Sequence, residues 1–171
     1  LFPVLGAVPE QMNSLNVTMG YPVKNSVVYG FLTLVINLLK NKKVTPANEV
    51  VMYHRYVTDI LNHQLLTHAE PDKTARFLTA IRKKNQITIS LKEIDFSPLH
   101  ELIFSIPDKT EEYCIYFLEI LAALYKMMDT SETQSNFLQE LIHAVYEAVE
   151  KLRAVIRNVQ KEHGREISDS V

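Results

Sequence analysis

The chain has 171 residues, enough for one domain with a single sizeable core. A hydrophobic fraction of 47% and a charged fraction of 22% are those of a globular protein and argue against extensive disorder. The formal charge of −2 gives no global field to recruit nucleic acid or anionic lipid, and one cysteine, Cys114, excludes an internal disulfide framework.

Four glycines are present, where average usage would give about twelve. Few glycines mean few tight turns, which favours long helices over a many-stranded sheet. No run reaches the ~18–20 apolar residues that span a bilayer; the opening stretch and Val27 to Leu39 come nearest. The lone cysteine is what a reducing cytosol would give, so a cytoplasmic location is expected, with secretion as the alternative. The chain begins at Leu1, as a processed form or a piece of a longer protein would.

Residues 1–24 are apolar but punctuated by Pro3, Gly6, Pro9, Gly20 and Pro22, and read as an irregular arm packed over a core. Within it, Asn16-Val17-Thr18 is a glycosylation sequon, which matters only on the secretory route. A first helix is expected from Ser26 to Lys40, capped by Asn25 or Ser26. A second starts at Thr45, with Pro46 at its first helical position and Val50, Tyr53, Val57, Ile60 and Leu61 in one stripe. A third starts at Pro71, turns Phe77, Leu78 and Ile81 inward, and ends on Arg82, Lys83 and Lys84 at the negative end of its dipole.

Then the period changes. Ile87, Ile89 and Leu91 alternate with Thr88, Ser90 and Lys92, which is a strand signature. The other alternating stretch, Leu15 to Met19, would be its partner; otherwise it is a connector or an edge offered to another protein. Ser97-Pro98 opens a short helix that stops before Pro107.

The stretch "YCIYFLEILAALYKMM" from Tyr113 to Met128 is interrupted only by Glu119 and Lys126. Glu112, Glu119 and Lys126 lie seven apart, one narrow polar line along an apolar cylinder, so this helix is expected to be surrounded by neighbours. Ser131 and Gln134 form a capping box before the final helix. There Leu138, Leu141, Val145, Ala148, Leu152, Val155 and Val159 alternate steps of three and four, widened by Ile142, Val149 and Ile156 into a face suited to a bundle.

These elements predict an all-α fold: an irregular bundle of five or six helices with a largely buried central helix over 113–128. A long amphipathic helix ends it, with room for one short strand or a two-stranded ribbon. The expected organisation is an arm over 1–24, one helical domain over 25–163 and a flexible tail over 164–171.

Chemistry has little support in the residues. Glu140 and His143 have the Glu-x-x-His spacing of di-iron bundles, but no second copy exists and the buried face belongs to Leu141 and Ile142. His54, His63 and His68 do not stack on one helical face, and Cys114 near the start of an apolar helix reads as structural. There is no glycine-rich phosphate loop, Cys-x-x-Cys, His-Glu-x-x-His or Gly-x-Ser-x-Gly. Lys42 and Lys43 with Arg82, Lys83 and Lys84 would hold an anion only if the fold brought the two clusters together; closing a helix already accounts for each.

The expectation is therefore a non-enzymatic helical protein–protein interaction module, free-standing or part of a larger scaffold. It would meet its partner through a groove between helices or through the edge formed by Ile87, Ile89 and Leu91. The alternative is a secreted helical ligand, or a carrier of an apolar small molecule in a cavity lined by Phe31, Phe117, Leu121, Met127 and Met128. Neither reading calls for a metal, a cofactor or nucleic acid.

Overall fold

The computed structural model describes residues 23–129 and 136–163. Helix α1 (Val27–Lys40) starts as its sequence dictates: Ser26 is extended, and its Oγ accepts the Tyr29 N–H at 3.1 Å. Val28, Phe31, Val35, Leu38 and Leu39 recur at helical spacing and are buried as one stripe.

After α1 the chain departs from the helical expectation. Strands β1 (Lys43–Val44) and β2 (Val50–Tyr53) form an antiparallel hairpin, with Lys43 opposite Val51 and Val44 opposite Val50. Thr45 does cap something, but it caps a turn. Asn48 N–H donates to Thr45 C=O at 2.9 Å, Glu49 N–H donates to Thr45 Oγ1 at 3.2 Å, and Thr45 N–H donates to Glu49 C=O at 2.9 Å. Asn48 sits at φ 56°, the left-handed conformation that closes a three-residue hairpin loop after a type I turn. Proline's fixed φ suits the second residue of such a turn as well as the first residue of a helix, so Pro46 signals both.

Strand β2 runs straight into helix α2 (His54–Leu61), whose Val57, Ile60 and Leu61 are buried. The predicted second helix is thus split: Val50 to Tyr53, with two β-branched residues and one aromatic among the four, form the middle strand, and the helix begins at His54. Helix α3 (Pro71–Lys84) carries Pro71 in its first turn, as expected. Strand β3 (Thr88–Ser90) then pairs antiparallel with β2, placing Ser90 opposite Val51, Ile89 opposite Met52 and Thr88 opposite Tyr53. The facing pair Met52 and Ile89 is wholly buried, which anchors the sheet face on the core. Ser90 Oγ donates to Glu49 Oε1, tying β3 to the hairpin turn.

The all-α expectation is therefore corrected. The chain is mostly helical, but it carries a three-stranded antiparallel sheet in the order β1–β2–β3. The partner of the predicted strand is Val50 to Tyr53; Leu15 to Met19 lie outside the described residues, as do the glycosylation sequon at Asn16, the cap at Ser131 and the 164–171 tail.

Helix α4 (Pro98–Phe104) is capped by Ser97. Helices α5 (Tyr113–Asp129) and α6 (Asn136–His163) pack antiparallel: the charges acting on Cys114, at the start of α5, are those of Glu150 and Arg153, late in α6. Buried residues from Val28 to Val145 join in one hydrophobic cluster. Helix α5 supplies much of it through Tyr116, Ile120, Leu121, Leu124 and Met128, although Ile115 and Tyr125 join Glu119 and Lys126 on an outer face wider than one polar line. Among the described residues no helix is long and apolar enough to cross a membrane.

Candidate functional site

The 17 residues of α5 and the 28 of α6 correspond to helices of about 25 and 42 Å. An antiparallel neighbour of that length cannot cover all of α6. Near its start α6 buries Leu141, Ile142 and Val145, with Tyr146 and Val149 packed against the core. Further on, Ala148, Leu152, Val155 and Val159 form a second stripe at i, i+4, i+7 and i+11, and it is exposed: Leu152 by 54% and Val155 by 58%. The seven-residue repeat that suggested one buried face is thus divided, its first half packed and its second half left on the surface.

This stripe borders a groove. Val23 in the 3-10 turn before α1 and Tyr29 and Leu32 of α1, with Ala144, Val145, Ala148, Val149 and Leu152 of α6, line an open cleft of about 290 Å³ whose walls are almost wholly apolar. Tyr29 is 49% exposed, on the side of α1 away from the Val28–Phe31–Val35 stripe. Contiguous apolar surface between two helices, with no charged side chain in its lining, is what an amphipathic partner segment requires.

The predicted edge is only partly present. Strand β3 pairs with β2 on one side alone, so its other backbone side is unpaired within the sheet. Yet Ile89 and Leu91 point into the core, and of the three named residues only Ile87 is exposed, by 67%. Ile87 lines a more polar cleft with His54, Thr58, Asn62, Arg82 and Asn85.

The two basic clusters do not make one anion site. Lys42 Nζ donates to the Pro107 carbonyl at 3.0 Å and lies 3.7 Å from Asp108 Oδ1, so it is engaged locally. Lys43 belongs to β1, whereas Arg82, Lys83 and Lys84 lead into β3 at the opposite edge of the sheet. The five residues named for an apolar cavity are not gathered around one. Phe31, Leu121 and Met128 are core packing, Met127 packs against that core, and Phe117 lines an open cleft with Ile36, Leu39 and Tyr113.

Glu140 and His143 are both exposed, and His143 Nδ1 lies 3.9 Å from Glu147 Oε1. Among the described residues no three metal-ligating side chains cluster. Cys114 is half-buried, and that burial, more than the opposing pull of Arg153, pushes its thiol up from the usual value. His68 is on the surface, whereas His63 is half-buried, its ring centroid 5.2 Å from that of Phe31, and its pKa is lowered by that burial.

Sequence reading passed over His100. It is completely buried, with Nδ1 2.8 Å from Ser97 Oγ, while its backbone N–H donates to the same oxygen at 3.4 Å. Its Nε2 is buried without a hydrogen-bond partner, and burial holds its pKa below the usual imidazole value. The Ser97–His100 pair resembles a nucleophile and base by distance alone. Its placement is that of a helix cap, with the serine hydroxyl bonded to the third residue of α4, and an imidazole sealed from water has no substrate to serve. The available sequence signal was the histidine at the third helical position after Ser97, where a capping box carries Glu or Gln.

The chain matches no family model, no curated protein and no solved structure.

Proposed function

We propose that this chain is a non-enzymatic protein–protein interaction module, and that its binding surface is the apolar groove between α1 and α6. The observation that carries this reading is the exposed Tyr29–Leu152–Val155 surface bordering a cleft with almost no polar lining. A cleft of about 290 Å³ falls at the lower limit of small-molecule pockets and suits a few anchoring side chains of a partner helix. Covering half-exposed Leu152 and Val155 would each contribute on the order of 1 kcal/mol, so several anchors together give useful affinity. The cytoplasmic location expected from the lone cysteine is carried as part of this proposal.

The test is selection of binders from a displayed library of amphipathic helical peptides against the 171-residue chain. Enriched peptides should share apolar anchors at i, i+3 or i+4, and i+7, and should bind about tenfold more weakly to L152E, the consequence of losing roughly 1.4 kcal/mol. Binding that survives L152E but falls with I87E would move the site to the sheet edge. Absence of any enriched helical class would refute the reading.

A further inference from the structure

The end of α1 and the start of α5 border a second cleft, of about 480 Å³. Its apolar part comes from two pairs of side chains at i, i+3 and i, i+4 spacing, Ile36 and Leu39 of α1 and Tyr113 and Phe117 of α5. These walls are held from behind. Tyr113 and Phe117 pack against the core, and the Phe117 ring lies 5.6 Å from that of Tyr116, whose hydroxyl is bonded to the Ile103 carbonyl. Lys42 fixes one side of the mouth, because its bond to the Pro107 carbonyl ties the segment after α1 to the chain that leads into α5. The cleft is formed without a ligand, so binding need not order it.

Charge decides what suits it. Lys40, one turn beyond Ile36, lines the cleft together with Lys42, against one carboxylate, that of Asp108. Asp108 lies 3.7 Å from Lys42 with its side chain 93% exposed, so it offsets Lys42 from the solvent side. Lys40 has no hydrogen-bond or ion-pair partner among the described residues. Glu111 and Glu112, in the turn before α5, do not line the cleft. An unpaired ammonium beside a preformed apolar surface matches a ligand with one anionic end and an apolar body. Size narrows the class further. At the roughly 30 Å³ a water molecule takes in the liquid, 480 Å³ holds about sixteen non-hydrogen atoms at most, which suits a chain of about eight to ten carbons with its head group.

We propose that this cleft binds a medium-chain monocarboxylate, with the carboxylate on Lys40 and the chain along Ile36, Leu39, Tyr113 and Phe117. The site is separate from the groove between α1 and α6, which begins at Val23 and Tyr29, at the opposite end of α1. Of the residues the sequence suggested for an apolar cavity, Phe117 alone belongs to it.

The experiment titrates decanoate, below its micellar range, into the full 171-residue chain by isothermal calorimetry. Decyltrimethylammonium and 1-decanol serve as the cationic and uncharged controls. Saturable one-to-one binding of decanoate is expected, about fivefold tighter than that of 1-decanol, the most that one exposed ammonium supplies. Lys40→Glu replaces attraction by repulsion and should weaken decanoate about tenfold. Ile36→Glu, at a position 39% exposed and so tolerant of charge, should remove binding by placing a carboxylate against the chain. Lys83→Glu makes the same charge change at an exposed site outside the cleft and should leave the affinity within about twofold. Equal binding of decanoate and decyltrimethylammonium, wild-type affinity in Lys40→Glu, equal weakening by Lys83→Glu, or no saturable binding up to millimolar decanoate would each overturn the proposal. None of these outcomes bears on the groove between α1 and α6, whose test reads peptide binding at Leu152.

Discussion

Replacing Tyr116 by phenylalanine removes one oxygen atom, and the structure says what that oxygen does. Tyr116 is buried in α5, and its hydroxyl donates to the backbone carbonyl of Ile103, near the end of α4. In a continuing helix that carbonyl would accept the N–H four residues on, but that residue is Pro107, which has none. The tyrosine therefore supplies the bond the proline cannot, and Tyr116→Phe leaves a carbonyl with no donor in a buried setting. The cost should be about 1–3 kcal/mol, the penalty of an unmade buried hydrogen bond, with little change in packing volume. In urea, at an m-value of roughly 2 kcal/mol/M, this shifts the midpoint down by about 0.5–1.5 M without altering the slope. Tyr125→Phe, on the exposed side of the same helix, should change stability by less than about 0.5 kcal/mol.

A second readout comes from alkaline titration. Burial raises the Tyr116 pKa above that of a free phenol, so at high pH the unfolded chain releases a proton that the folded chain keeps. The stability associated with the neutral phenol is present below about pH 10 and is lost as pH rises above it. Tyr116→Phe should lose that component of the alkaline decline. A midpoint for Tyr116→Phe within error of Tyr125→Phe, or an unchanged alkaline slope, would refute the reasoning.

Asn48 separates the hairpin from a helix by sign. At φ 56° an alanine is strained, so Asn48→Ala should destabilise by about 1–2 kcal/mol while Asn48→Gly stays near neutral; in a helix, alanine would be the better residue of the two, and thermal melts of both variants decide it. His100 has its pKa lowered by burial, with Glu70 opposing and Lys73 assisting. Its contribution is therefore present above about pH 6.5 and lost as pH falls through the depressed folded value. Urea midpoints between pH 7.5 and 5 should fall for the wild-type chain and fall less for His100→Leu, the remaining slope including that of His63, whose pKa is depressed in the same direction. Equal slopes would remove His100 from the account.

Much of the helical framework was legible because caps are local chemistry. Ser26, Pro71 and the Ser97-Pro98 pair each mark a helix start within a residue of where it lies. Thr45-Pro46 failed for the same reason these succeeded: one hydroxyl and one fixed φ serve a turn as readily as a helix, and only the strand opposite decides. The Ile89 alternation revealed β3, but its partner 37 positions earlier is hidden, because register between distant strands is tertiary information. For the candidate groove, the apolar residues of α6 were all visible in the heptad. Their division into a covered and an uncovered half depends on how far α5 extends beside them, which periodicity does not encode. His100 was missed because burial of a lone histidine follows from neighbours distant in sequence, not from its own segment.

The order of strands in the sheet also governs how the chain assembles. The α5–α6 pair joins segments adjacent in sequence, and its first contacts close a short loop. Strand β2, in contrast, must wait for β3 across α2 and α3, and it meets Ile89 with Met52 only after a loop of some three dozen residues has closed. Loop-closure entropy rises with that separation, so the helical hairpin should nucleate early and the β2–β3 pairing should limit the folding rate. Substitutions at Leu141, in the early helical hairpin, should then slow folding, whereas those at Ile89 should slow folding only as far as the β2–β3 pairing is made at the barrier; stopped-flow chevrons in which Leu141 substitutions change unfolding alone would refute this order. Until β3 arrives, the β1–β2 hairpin carries an open pairing edge, and the interval before closure is when this chain is most exposed to pairing with another.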